Sequence, residues 1–291
     1  MITLKFKVIS IILIMIMFSF SILNGMVDDW GRLSGGLENL FIFFGESLWP
    51  PNWRVIEPEA YPVCTAYPYF DFTCSTAWKG MTETIKIAFV STIFGSLISL
   101  PISILAARNL SSLGISYLAR VFLAAARSLP SIIWAIFFVI LVGFGPLSGV
   151  LAMTIYTVGY LGKLQYEAIE GMNSIPLEAA RSMGLSKIEI ATGVVIPEMA
   201  NSLISQMIFM FEYNVRHGTV IGIVGAGGIG YYINLYLKFL QYDMVLSYLI
   251  IIFIVVLIID FLSISARSYF NEEGDISKPS WWNIIFPNLK M

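Results

Sequence analysis

Ser174-Ile-Pro176-Leu-Glu178-Ala179-Ala180-Arg-Ser-Met-Gly184-Leu-Ser186-Lys-Ile-Glu189-Ile-Ala-Thr-Gly-Val-Val-Ile196-Pro197 is a short polar stretch set between strongly apolar ones. Its spacing predicts two short helices joined by a sharp corner. Pro176 suits a first helical turn, where a missing N–H costs nothing. Glu178 is expected near that N-terminus, where negative charge is favoured. Ala179 and Ala180 are strong helix formers, small enough for another surface to come close. Gly184 sits where a glycine in the left-handed conformation would end the first helix. Ser186 and Glu189 have capping-box spacing for the second, and Pro197 is expected to start a further helix. The expected product is a hard, exposed knob that a partner protein pushes.

What surrounds the knob is lipid-like. Of 291 residues 57% are hydrophobic and 12% charged, against roughly 25% charged in soluble domains, and the mean hydropathy is +0.80. The chain is predicted to be an all-α, polytopic helical membrane protein, with the bilayer as one of its partners. The net charge of −2 says little, because the placement of charge matters more than its sum. No basic run points to nucleic acid. One histidine and two cysteines do not supply a metal-ligand set, so no metal and no cofactor is expected.

A crossing helix needs about 20 apolar residues. Residues 8–27 meet that length after Lys5 and Lys7, and no small-x-small cleavage site follows, so residues 1–27 read as a retained anchor. Residues 28–83 are the one long polar segment. Within it Leu37–Leu48 reads as an interfacial helix too short to span. Cys64 and Cys74 lie in the same segment, either as a disulfide in an oxidising space or as two unpaired thiols. Further spans are expected at 87–107, 130–145, 149–168, from Pro197 onward, and at 244–264. The third and fourth form a hairpin punctuated by Gly143, Gly145, Pro146 and Gly149, and residues 112–128 form a basic amphipathic helix carrying Arg120 and Arg127. Six spans put the N-terminus, the knob and the tail 268–291 on one side. That side holds 11 of the 17 lysines and arginines, which makes it the cytoplasm, with both termini there.

The knob resembles the EAA signature of type I ATP-binding-cassette (ABC) importer permeases. Glu178, Ala179, Ala180, Gly184, Val194 and Pro197 fall at its spacings, with Ile196 in place of the usual leucine. Ala106-Ala-Arg-Asn109, Arg127-Ser-Leu-Pro130, Leu161-Gly-Lys-Leu164 and Asn214-Val-Arg216 leading to Val224-Gly-Ala-Gly-Gly-Ile-Gly230 are similar to the phosphonate-type members. The resemblance covers about residues 84–267 and implies a MetI-like transmembrane domain whose loop 174–197 couples to an ATPase. It also implies a cell inner-membrane location, two ABC ATP-binding subunits, an extracytoplasmic substrate-binding protein, a permease homodimer, and a phosphonate or related phosphorus oxyanion as cargo.

No Walker motif is present, so ATP hydrolysis is expected to belong to a partner and the chain itself not to be an enzyme. For the substrate path the candidates are Asn214, Arg216, Gly225, Gly227 and Gly228. Arg216 would face an oxyanion, or else pair with Glu212 four residues earlier. Asn214 would meet substrate or bond a neighbouring helix. Gly225-Ala-Gly227-Gly228-Ile-Gly230 matches Gly-x-Gly-x-x-Gly but follows a membrane span with no strand before it, so it is read as a gate or a close-packing site rather than a dinucleotide fingerprint. Glu167 and Glu170 read as a solvated helix end.

Overall fold

The computed structural model describes residues 2–27, 29–59 and 72–270, and among them every regular element is helical. Cys64 and the tail beyond residue 270 lie outside the described residues. Residues 1–50 and 51–291 are separate compact units.

The first unit holds α1 (Ile2–Met26), apolar from Ile9 to Met26, and α2 (Gly31–Phe43). Asp29 Oδ1 accepts from Gly31 N at 2.8 Å at the start of α2. Trp30 donates to Asn24 Oδ1 at 2.9 Å and stacks on Phe20. A π-helical turn, Phe44–Leu48, prolongs α2, so the helix begins earlier than the apolar run Leu37–Leu48 indicated.

In the second unit the long helices are α3 (Thr76–Ala106), α6 (Pro146–Gly171), α9 (Ile196–Ile221) and α11 (Tyr242–Phe270). Ser75 caps α3 by accepting from Trp78 N at 3.2 Å. The helix therefore starts well before residue 87 and takes Lys79, Glu83 and Lys86 into its first turns. Helices α3 and α6 form the closest pair. A small position lets them close where they face: Gly95 of α3 lies against Thr157 of α6, while Gly149 of α6 lies against the Ala226 carbonyl of the glycine-rich stretch. Without a hydrophobic force between helices in lipid, such close backbone approach supplies the van der Waals contact that holds them. The large apolar side chains Phe89, Phe94, Leu97 and Ile98 point away from this seam and are exposed, as a lipid face requires.

The middle of the bundle is pinned by Asn214 on α9. It is fully buried, and its amide donates to Thr92 Oγ1 on α3 and Thr157 Oγ1 on α6, both at 2.9 Å. One side chain thus ties three helices together.

Three features differ from the apolar pattern. First, the expected third span is the 12-residue helix α5 (Ser131–Val142), which follows α4 (Leu113–Ser128) across a bend of 84° at Leu129-Pro130. Twelve residues reach about 18 Å, short of the hydrocarbon core. Helix α4 is not confined to one end of the bundle: Leu123 packs on Gly162 and the backbone of Arg127 on Gly159, so it climbs α6 to its midpoint. Among the described residues five helices are long and apolar enough to cross, or six if α4 and α5 together count as one broken span.

Second, Pro197 does not start a separate helix. The chain is helical from Lys187 through a π-turn at Ala191–Val195 into α9, and Ile196 N reaches back five residues to Ala191 O. The wider turn leaves room for a proline ring that would strike the carbonyl four residues back in a regular helix. Third, helix α10 (Ile229–Lys238) follows the glycine-rich stretch and packs on α3 and α11.

Replacing Asn214 by alanine removes both pinning bonds. A loss of about 1–2 kcal/mol is expected, read as a lower midpoint when the detergent-purified chain is thermally unfolded.

Candidate functional site

The knob has the predicted form. Helix α7 (Ser174–Ser182) is capped by Asn173, which accepts from Ile175 N at 3.1 Å. This cap places the helix start earlier than expected, so Glu178 falls mid-helix rather than in the first turn. At the corner Gly184 has φ +75°. Leu185 N donates to Ala180 O and Gly184 N to Arg181 O, the paired bonds that close a helix C-terminus when a glycine can turn left-handed. Ser186 and Glu189 then form a complete capping box at the start of α8 (Lys187–Ile190).

Burial splits the knob into two faces. Leu177, Ala180, Ile190 and Val195 join one apolar cluster with Ala106 of α3, Leu123 of α4 and Ile169 of α6. Ile175, Glu178, Ala179, Ser182 and Met183 are exposed. Their spacing is one helical stripe, and Ile188 of α8 extends it. Ile175, Met183 and Ile188 are 69–77% exposed, an apolar surface around the small Ala179 that can accept a close partner.

A polar clasp fixes this knob to the bundle. Glu170 accepts from Arg108 N at 2.6 Å and from the Arg120 guanidinium, which also lies over the Tyr166 ring and donates to Ala106 O. Asn109 donates to Ile169 O, and Arg181 of α7 donates to Asn109 O. Glu170 is therefore a junction of α4, α6 and the 107–112 turn, not a solvated helix end. Glu167 does remain at the surface, paired with Lys163 at 3.5 Å. Spacing alone could not separate the two, because the partners of Glu170 lie 50 and 62 residues away.

At the opposite end of the bundle, the glycines form a tight loop. Gly225, Gly227 and Gly228 all have φ between +78° and +87°. Gly228 N donates to Glu83 Oε1 at 3.0 Å and Ile229 N to Thr84 Oγ1 at 2.9 Å, so α3 caps the start of α10. Gly145 N donates to Gly225 O at 3.0 Å, joining the loop to the start of α6. A side chain at 227 would collide with Glu83 and Pro146. A cleft of about 330 Å³ opens here between Glu83, Phe144, Tyr231 and Tyr232.

Arg216 and Asn214 do not share a site. The Asn214 amide nitrogen bonds two neighbouring helices, and its Oδ1 is buried without a hydrogen-bond partner. Arg216 pairs with Glu212 and lies 3.6 Å from Asp260 of α11, while Arg267 of α11 meets Glu212 at 3.1 Å. Two carboxylates and two guanidinium groups thus tie α9 to α11 with no net charge.

Beside this network lies a group the sequence reading did not find: Tyr156 and Tyr160 of α6 with Tyr213 and His217 of α9. The Tyr156 and Tyr213 hydroxyls are 2.7 Å apart, and the Tyr213 and His217 rings are stacked at 3.9 Å. Helical spacing of aromatics was the only signal. The rings turn their faces to one another, which leaves no open cage for a cation.

Apolar helices of spanning length with a capped, exposed knob clasped to their core describe a helical integral-membrane protein. Residues 99–271 match the family described as "Binding-protein-dependent transport system inner membrane component". The chain belongs to that family.

Among curated relatives it is 39% identical over 186 residues to the putative phosphite transport system permease protein HtxC of Stutzerimonas stutzeri, covering 64% of this chain and 66% of that one. It is 37% identical to the phosphite transport system permease protein PtxC of the same organism, covering 69% and 74%. It is 36% identical to the phosphate-import permease protein PhnE of Mycolicibacterium smegmatis, covering 69% of this chain but 38% of that longer one. The fold is shared with a chain of the inward-facing MetNI methionine ABC transporter, at TM-score 0.59 and 24% identity over 66% of this chain and 94% of that one. It is shared too with a bacterial ABC transporter that imports alginate, at TM-score 0.57 and 15% identity, covering 87% and 100%.

Glu212 is buried with 8% of its side chain exposed and serves two arginines, whereas Arg216 is 43% exposed. Glu212→Ala should therefore destabilise the purified chain more than Arg216→Ala does, because it removes the partner of both arginines, whereas after Arg216→Ala the Glu212 carboxylate keeps Arg267. Comparing the two thermal-unfolding midpoints checks the order.

Proposed function

We propose that this chain is the permease subunit of an ABC importer for phosphonate or a related phosphorus oxyanion. The observation that carries the coupling half is the exposed stripe Ile175, Glu178, Ala179, Ser182 and Met183 on a helix whose other face is part of the bundle core. A force on that stripe reaches α3, α4 and α6 without passing through a flexible joint. The cargo half is supported by relatives named for phosphite and phosphate transport.

In this reading the knob and both termini face the cytoplasm, where the excess of lysine and arginine lies. Two ATP-binding subunits dock on the knobs of two copies of the chain, a twofold arrangement that matches paired ATPases. A binding protein delivers substrate at the opposite face, where the glycine loop, Glu83 and Phe144 form the gate. ATP-driven closure moves residues 174–197 as a lever, and the helices packed on it switch between discrete inward-open and outward-open states. Arg216 then holds α9 to α11, through Glu212 and Asp260, while the path opens and closes. ATP hydrolysis belongs to the partner subunits.

The test is uptake of labelled phosphonate, phosphite and phosphate by membranes carrying the whole system, with and without the ATPase. ATP-dependent accumulation of one of them is expected. Uptake that persists without the ATPase would overturn the reading. Glu178→Lys and Gly184→Trp should each abolish uptake and co-purification of the ATPase while the chain still inserts in the membrane. Cys64 and Cys74 are proposed to pair on the extracytoplasmic side: thiol titration of the denatured chain should find none before reduction and two after.

A further inference from the structure

At membrane depth the bundle shows two kinds of accessible surface. Helices α3 and α11 present large apolar side chains, Leu97 and Ile98 on one and Leu257 and Ile258 on the other, as lipid requires. Between α6 and α9 the accessible side chains are polar aromatics instead. Tyr156 and Tyr160 of α6 and Tyr213 and His217 of α9 are each half-buried, so the bundle encloses none of them.

Their depth follows from the helices that carry them. Tyr160 lies fourteen residues from Pro146 and eleven from Gly171, the two ends of α6. At 1.5 Å per residue that is about 15–20 Å from either end, near the middle of a hydrocarbon core about 30 Å thick. Tyr156 is one turn away, and its bonded hydroxyl puts Tyr213 of α9 at the same level.

The hydrogen bonds of this group are incomplete. Tyr156 and Tyr213 share one hydrogen between two hydroxyls, so one O–H remains to donate. Tyr160 stacks on both rings, at centroid distances of 6.1 and 5.6 Å. Its hydroxyl has no hydrogen-bond partner among the described residues, and it is not sealed inside the bundle. Hydrocarbon cannot satisfy either O–H, and leaving them unmet there is costly. A surface with two free O–H groups at mid-bilayer therefore meets water or a polar solute.

The stacking decides which solute. The rings are covered on their negative faces by one another, and what they leave accessible is the positive edge and the hydroxyl hydrogens. That is a set of donors with no formal charge, able to hold an anion with several oxygens and to release it. The polar stripe also continues toward the knob. Lys163 follows Tyr160 by three residues on α6, and Gln206 precedes Tyr213 by seven on α9, each at helical spacing. The Gln206 Oε1 is buried without a hydrogen-bond partner, a further group that calls for water at depth.

We propose that Tyr156, Tyr160 and Tyr213, with His217 closing the stack, line the aqueous translocation path at mid-bilayer and donate hydrogen bonds to the oxygens of a passing phosphorus oxyanion. This places the path along the α6–α9 face rather than at Asn214 or Arg216. The ligand class rests on the oxyanion reading above; the aqueous lining does not.

The test uses the complete importer, ATPase included, in membranes. Tyr160→Phe deletes a hydroxyl that bonds nothing in the protein. The unfolding midpoint and the amount of co-purified ATPase should match wild type, while uptake of the labelled oxyanion falls at least fivefold. Wild-type uptake by Tyr160→Phe would overturn the inference and leave the cargo reading standing. A second measurement needs no cargo. In open membrane fragments, with and without ATP, a charged methanethiosulfonate reagent should label Tyr160→Cys above the wild-type chain and leave Leu97→Cys at the wild-type level. No labelling of Tyr160→Cys in either state, or equal labelling of the two variants, would overturn the lining. Disulfide cross-linking of Tyr160→Cys between two copies, in place of labelling, would overturn it as well, by making this face a contact between chains. If the wild type takes up no phosphorus oxyanion while Tyr160→Cys labels as expected, the cargo reading and the ligand named here both fail, and the aqueous lining stands.

Discussion

Hydrocarbon offers no hydrogen bonds, so each place where a helix of this bundle breaks must find partners for the backbone groups it frees. The breaks organise the molecule. At the knob, a glycine in the left-handed conformation lets α7 close on its own carbonyls, and a capping box opens α8. At Pro197 a π-turn makes room for the ring and keeps the helix continuous. At the glycine loop, Glu83 and Thr84 of α3 receive the free N–H groups of residues 228 and 229. The α4–α5 bend, like the starts of α4 and α6, has no side-chain cap.

The same economy governs the polar side chains of the interior. Asn214 spends its amide on two threonine hydroxyls, and the two arginines of α9 and α11 spend their charge on Glu212 and Asp260. These groups join α9 to its neighbours across polar contacts, whereas the small residues of α3 and α6 let their backbones lie close.

Much of this was legible in the chain. Caps and corners are local, and so Gly184, Ser186 and Glu189 could be placed from spacing alone. Long apolar runs announced most of the spans. What escaped depends on contacts distant in sequence. Glu170 looks like a solvated end until Arg108 and Arg120 arrive from 62 and 50 residues away. The uncharged stretch from Ser128 to Gly162 contains no sign that its first helix is short and set at 84° to the one before it. For Arg216 spacing offered both an oxyanion and Glu212, and the contact with Asp260 of α11, distant in sequence, could not be read from it.

The clasp at Glu170 also bears on how such permeases could be recombined. The knob is held by Asn109 and Arg181, and the segment that carries Asn109 is held by Glu170 and Arg120. A chimaera that transplants residues 174–197 alone would leave the graft seated on a foreign turn, matched in shape but not in hydrogen bonds. The transferable cassette is discontinuous: the segment from Ala106 to Arg120 and the end of α6 must travel with it.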